Sequence, residues 1–415
     1  MKDAFGGGQD GIGAASYTYD SLGNISYEHA FGVATNYYNY DLAGNRTSTY
    51  NVFGTTYFTP TNNNRLETWG SNGWMTYNDA GCVNYLTRNT KTNIINLELS
   101  WNGEYQLTQV IAVDSSDNYH YIYYTYDSLG RKISRKESDG NNWCKKEYYI
   151  YDGMNLVADY DAINGSVIRT YTYGPGVDDI QSMTTYEGNE GPKTYYYIKD
   201  ASNTVHVLVD ETGLIVEYYY YDAFGNVKMR DENYQWMTKS KCGNRFLFQG
   251  REYDYDTALY YFRNRWYEPE TGRWLSPDPI GISGGLNLYA FCGNDPVNQI
   301  DPMGLWGIEV DGFLIGSGNP WLAFDASTLD TMWNGGAAVI DGMIPWFNPF
   351  DTLCDAYKNE CGEYDSSYED SYNIGVWVGT GIDLLLGYKY KWYPAVAAGI
   401  NMKARFNDSH KKFKK

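Results

Sequence analysis

For most of its length the chain alternates apolar and polar positions with period two, in short runs that end on one recurring device. Two tyrosines one residue apart are followed by Asp-x-x-Gly. The units are Tyr17/Tyr19/Asp20/Gly23, Tyr38/Tyr40/Asp41/Gly44, the degenerate Tyr77/Asn78/Gly81, Tyr124/Tyr126/Asp127/Gly130, the degenerate Tyr149/Tyr151/Asp152 and Tyr219/Tyr221/Asp222/Gly225. Side chains along a strand alternate between its faces, so Y-x-Y puts both rings on one face, where they are expected to stack on the equivalent pair of the neighbouring strand. The aspartate caps the turn backbone and the glycine supplies its positive φ. Each unit therefore reads as strand, turn, strand, and residues 1–300 as almost wholly antiparallel β. A hairpin of this size cannot bury its own face. Copies must pair laterally into a long sheet, which wraps or spirals as it twists, so the pattern predicts a mainly β protein built as a partial shell.

Composition agrees with strands and turns: 44 tyrosines and 44 glycines against 12 prolines in 415 residues. The net charge of −19 makes the shell a poor partner for nucleic acid. Cys82, Cys144, Cys242, Cys292, Cys354 and Cys361 form no C-x-x-C pair, so neither a metal nor a redox centre is signalled, and no cofactor is expected. The opening MKDAFGGGQDGIGAAS has no apolar core of the kind that directs secretion and begins in mid-repeat, which reads as a fragment of a longer chain.

Chemistry enters near the end of the β-patterned part. Asp278-Pro279-Ile280-Gly281 and Asp301-Pro302-Met303-Gly304 are twin Asp-Pro-x-Gly turns, and two such turns can bring two carboxylates together. Carboxylates held close share one proton, so one can act as base toward water while the other acts as acid toward a leaving amide nitrogen. Arg273, just ahead of the first turn, is a permanent cation that can hold one carboxylate ionised or steady an oxyanion. Each motif taken alone also fits an ordinary turn.

Three stretches in this part resemble, in order, the core of the RHS/YD-repeat polymorphic toxin family. They are YYYIKDASNTVHVLVDETGLIVEYYYYDAFGNV, NRFLFQGREYDYDTALYYFRNRWYEPETGRWLSPDPIG and GGLNLYAFCGNDPVNQIDPMGL. With the upstream repeats the resemblance covers about three quarters of the chain. It implies a shell that encloses its own C-terminal toxin, with the core block cutting the toxin free. The family's D-P-x-G-L ending maps the scissile bond to Leu305-Trp306, and Asp278, Asp301 and Arg273 to its site. The implied partners are the protein's own tail and a cognate immunity protein, and the implied location is secreted or at the cell surface.

The expected organisation is a YD-repeat shell over residues 1–235, the core block with its self-cleavage motif over 236–305 and a variable effector over 306–415. In the tail the tyrosine pairs fade and helix signals appear, such as Ser327/Thr328 ahead of Leu329, so a small, mainly helical domain is expected. Its apolar runs, 337–344, 374–386 and 394–400, are shorter than the ~20 residues that span a bilayer. From Lys389 onward eight Lys or Arg face Asp408 alone, which suits a solvated basic end or a grip on nucleic acid or an anionic membrane. His410 is the tail's one histidine, and no catalytic set can be named there. Two rival readings remain: a surface adhesin whose aromatics bind glycans without processing, and a pore-forming tail.

Overall fold

The computed structural model describes residues 15–305, apart from 31, 89–93, 115 and 187–190, together with 307–309. Residues 1–173 and 178–320 make one compact unit, so the expected shell and core segments belong to a single body; residues 174–177 and 321–415 make a second, of which only 174–177 are described. The effector expected over 306–415, including Trp306, Cys354, Cys361 and His410, thus lies outside the described residues, save 307–309.

Twenty-one strands, from Ser16–Tyr19 to Trp236–Met237, form one sheet. Each pairs antiparallel with the next in sequence, for example 119–126 with 132–138 and 132–138 with 143–152. The mainly β expectation holds for this part of the chain. A four-stranded sheet follows (Glu252–Asp254, Leu259–Phe262, Arg265–Glu268, Arg273–Trp274), then a pairing of Gln299–Ile300 with Ile308–Glu309.

The turns behave as their residues dictate. Asp20 Oδ1 accepts from the backbone N–H of Leu22 and Asn24, and Gly23 sits at φ +86°. Asp41, Asp127 and Asp222 repeat the arrangement. More turns of this type occur than the repeats predict. Thr61, Asn102, Asp114, Asp200, Asp210 and Asp231 cap equivalent turns, whose positive-φ position is filled by Asn64, Tyr105, Asp117, Asn203, Gly213 and Tyr234.

The tyrosine pairs depart from the stacking expected of them. In the pairs 124/126, 149/151 and 219/221 the first ring is buried against the core block. The hydroxyl of the second tyrosine instead reaches back to the strand before it. Tyr126 donates to the Leu107 carbonyl, Tyr151 to Lys132 and Tyr221 to Val205, so these rings fasten strands through hydroxyls. Stacked pairs do occur between neighbouring strands, but at other positions, such as Tyr148 on Tyr160 with centroids 5.7 Å apart.

The core block packs against the sheet. Phe246, Phe248, Tyr260, Phe262, Tyr267, Trp274 and Phe291 join Tyr149, Tyr171, Tyr197 and Tyr219 in one cluster; Leu259, Tyr261, Trp266 and Leu275 join Leu66, Leu86, Leu97, Val110 and Ile122 in another. Backbone bonds tie the layers as well, Val83 N to Leu275 O and Val205 N to Leu247 O. The result is a fixed scaffold under the loops that carry Asp278 and Asp301.

Candidate active site

Each Asp-Pro-x-Gly segment is a turn in its own right. The Gly281 N–H bonds the Asp278 carbonyl at 2.9 Å, and the Gly304 N–H bonds the Asp301 carbonyl at 3.4 Å. Gly304 has φ +69°, and a side chain there would press on the Phe262 carbonyl at 2.5 Å, so glycine is required for the loop to lie this close to the strand beneath it. In both turns one carboxylate oxygen serves the local backbone. Asp278 Oδ1 accepts from Ile280 N at 3.0 Å, and Asp301 Oδ1 accepts from Leu305 N at 2.9 Å.

The other two oxygens converge on a single guanidinium. Arg265 Nη1 lies 3.0 Å from Asp278 Oδ2, and Arg265 Nη2 lies 3.4 Å from Asp301 Oδ2. Arg265 also donates to the carbonyls of Gly304 and Leu288 and rests over the Trp274 ring, 4.1 Å from its centroid. This uses the planar five-donor fork that arginine alone provides. The strand Arg265–Glu268 is buried throughout, and Arg265 itself is 2% exposed, so the cation and both acids meet in a medium that magnifies their interactions.

That burial sets the protonation. It pushes the Asp301 carboxyl up to about 6, with Arg265 opposing and the Asp278 charge adding to the rise. Asp278 is also raised by burial, with Arg265 opposing. Both carboxyls on the shared cation thus hold a proton more readily than a free aspartate, as acids held close together do.

Arg273, expected beside this pair, is placed elsewhere. Its guanidinium donates to Asn45 Oδ1 and to the Asn64 carbonyl and lies over the Tyr289 ring, so it joins the core block to the first repeats. The antiparallel pairing of Glu268 with Arg273 separates it from Arg265, whose strand runs beneath both turns. Leu305 is buried, and Trp306 lies outside the described residues. Gln249 also belongs to the site, with no motif in the sequence to mark it. Its amide donates to the carbonyls of Pro296 and Gln299, and its Oε1 accepts from Asp301 N, which pins the second turn. The one sequence hint of Arg265 is a cation set among buried aromatics in LYYFRNRWYE.

A model of the teneurin YD-shell matches residues 13–297. The chain belongs to that family. Among curated relatives, the tRNA3(Ser)-specific nuclease WapA of Bacillus spizizenii is 32% identical over 230 residues, 54% of this chain and 9% of that protein. The toxin subunit YenC1 of Yersinia entomophaga is 24% identical over 303 residues, 70% of this chain and 29% of that protein. These relatives are of the RHS/YD-repeat toxin type. The chain spans less than a third of the length of either. Among solved structures, TcdB2-TccC3-TEV and the Photorhabdus luminescens Tc holotoxin pore each superpose with a TM-score of 0.54. They share 23% and 22% identity and cover 70% and 71% of this YD-shell chain, in each case over 15% of the neighbour, and so speak for the fold. No helix among the described residues is long and apolar enough to cross a membrane.

Proposed function

We propose that this chain is the C-terminal part of an RHS-type polymorphic toxin that holds its own tail as cargo and cuts it off between Leu305 and Trp306. The observation that carries the reading is the meeting of Asp278 and Asp301 on Arg265, with Asp301 also gripping the N–H of Leu305. Asp278, closer to the guanidinium, is the ionised base that takes a proton from water. Asp301, whose hold on a proton burial strengthens, gives that proton to the leaving nitrogen of Trp306. Arg265 holds Asp278 ionised and fixes the geometry of both turns. Toxin-type relatives support the carrier role. The tail's target, its immunity protein and any membrane contact are part of the same proposal.

The test is a pair of variants in the full chain. Asp278→Asn and Asp301→Asn keep the shape but cannot exchange the proton, so each should leave the chain whole where the parent releases a tail. Release by both at the parental rate would reduce these aspartates to turn formers.

One observation favours the adhesin reading as a second. Tyr27, Tyr37 and Tyr50 form a cross-strand ladder with centroids 5.1 and 5.8 Å apart, and Tyr37 and Tyr50 are exposed, as glycan-stacking rings would be. Full-length migration of the parent together with retention on a glycan array would support it.

A further inference from the structure

The connection from the strand Val167–Tyr173 to the strand Ile180–Thr185 spends its aspartate differently from the repeat turns. Asp20, Asp41, Asp127 and Asp222 cap their own turns. Asp178 instead turns both oxygens to the core block. Its Oδ1 meets Arg251 Nη2 and, at 2.6 Å, Arg263 Nη2, and its Oδ2 accepts from Arg263 Nη1 at 3.1 Å. Asp178 is 7% exposed and sits at φ +58°, a left-handed conformation that residues other than glycine mostly avoid. The loop is pressed hard on its partner: a Cβ on Gly250, at φ +64°, would fall 2.8 Å from the Asp178 carbonyl oxygen. The same two arginines end on the second Asp-Pro-x-Gly turn. Arg251 Nη1 donates to the Pro302 carbonyl at 3.2 Å, and Arg263 Nη1 donates to it as well. With Arg265 on the Gly304 carbonyl, three buried guanidiniums hold this one turn, answered by the carboxylates of Asp178, Asp278 and Asp301.

We propose that Asp178 is a positioning residue of the cutting site, supplied by the repeat sheet. It neutralises and aims the pair of arginines that hold the Asp301 turn. The site is thus complete only when this part of the sheet is seated on the core block. The inference rests on the self-cutting reading and adds to it a dependence on the shell wall. Its physical reason is charge balance. The groups facing Asp301 are Arg265, Asp278, the Cys292 thiol, Arg251 and Arg263. Burial, with the Arg263 charge adding to it, already pushes the Arg251 guanidinium well below its ordinary range. One carboxylate fewer would leave a cationic excess against the turn. That excess favours the ionised form of Asp301 and takes away the proton it must donate. It also lets the two guanidiniums part, and with them the grip on Pro302.

The full chain, refolded from urea into a series of buffers and followed on denaturing gels, tests this. The alkaline fall in the rate of tail release should move about one pH unit lower in Asp178→Asn and about one unit higher in Arg251→Gln. It should return to the parental position in the double variant, where one charge of each sign is gone. Asp179→Asn, which breaks the neighbouring buried pair with Lys199, should leave the fall where it is. Falls that stay in place in both single variants, or that move the same way in both, would overturn the proposal, and so would an equal shift in Asp179→Asn. If Asp178→Asn does not fold, the direction read in Arg251→Gln decides. Hydrogen exchange adds a reading that needs no cutting. In the uncut Asp278→Asn chain, adding Asp178→Asn should speed exchange of the Gly304 and Leu305 amides about tenfold, and unchanged exchange would overturn the proposal. A parent that stays whole fails the self-cutting reading itself; a parent that cuts, with variants whose profiles do not move, fails the role of Asp178 alone.

Discussion

Arg265 reaches two aspartates that lie far apart in sequence, and it does so with different nitrogens of one rigid fork. A lysine would keep the charge but lose the bonds to the Gly304 and Leu288 carbonyls and could not face both acids at once. Arg265→Lys should therefore slow tail release at least about tenfold while leaving the fold intact, read as a time course on gels. The pH profile follows from the acids. Asp301 must start protonated and titrates near 6, so the rate should fall as pH rises through about 6, and fall again on the acid side where Asp278 takes a proton. A rate flat across that range, after refolding from urea into each buffer, would contradict the division of roles. That the two turns can meet is legible in sequence because Asp-Pro-x-Gly occurs twice within a short span. Arg265 is not, because a single arginine between aromatic residues has no period and its partners are fixed only by tertiary packing; the sequence points to Arg273 because it stands just ahead of the first turn.

At the level of the hairpin, the fully formed Asp-x-x-Gly turns could be read directly, and the variants could not. The turn needs only an acceptor at its first position and a positive φ at its fourth. Thr61 with Asn64, Asn102 with Tyr105 and Asp231 with Tyr234 meet that need without the glycine that would reveal them. The glycines themselves are not equivalent. Gly23, at φ +86°, has open space where a Cβ would be, whereas at Gly225, φ +84°, a Cβ would press on the Phe248 ring at 2.6 Å. Gly23→Ala should thus cost only the backbone penalty, about 1 kcal/mol. Gly225→Ala should cost about 1–3 kcal/mol more through forced repacking of the core block. Urea denaturation of the two variants decides it, and equal midpoints would count against the packing assigned to Phe248.

Across the described body as a whole, buried charge pairs join the ring contacts that seat the core block on the sheet. The position just after a repeat turn is aliphatic and fully buried at Ile25, Val83, Leu107 and Val205, yet it is Arg46 after the Asp41 turn and Lys132 after the Asp127 turn, both buried. At Lys132 the charge is matched from the core block. Its ammonium meets Glu252 at 2.5 Å and lies 4.7 to 5.5 Å from the rings of Tyr124, Tyr149, Tyr261 and Trp266. Arg135 with Asp254 and Arg88 with Glu268 are further pairs between the sheet and the core block. Sequence could not assign these partners, since Lys132 and Glu252 stand 120 positions apart. Burial opposes ionisation of Glu252 and Asp254, but Lys132 and Arg135 beside them hold both carboxyls below the ordinary range. The stability they contribute is present above the usual carboxylate pKa and lost as pH falls through their lowered values. Glu252→Gln leaves Lys132 buried without a counter-charge and should cost about 3–5 kcal/mol, checked by urea denaturation at neutral pH. A loss under about 1 kcal/mol would show that the pair does not hold the layers together.

The most direct measurement of the central claim is N-terminal sequencing of any small fragment released from the purified full chain, alongside the Asp278→Asn protein. The account predicts a fragment beginning at Trp306 from the parent and none from the variant. A parent that stays whole, or a fragment of the same start released equally by the variant, would contradict it.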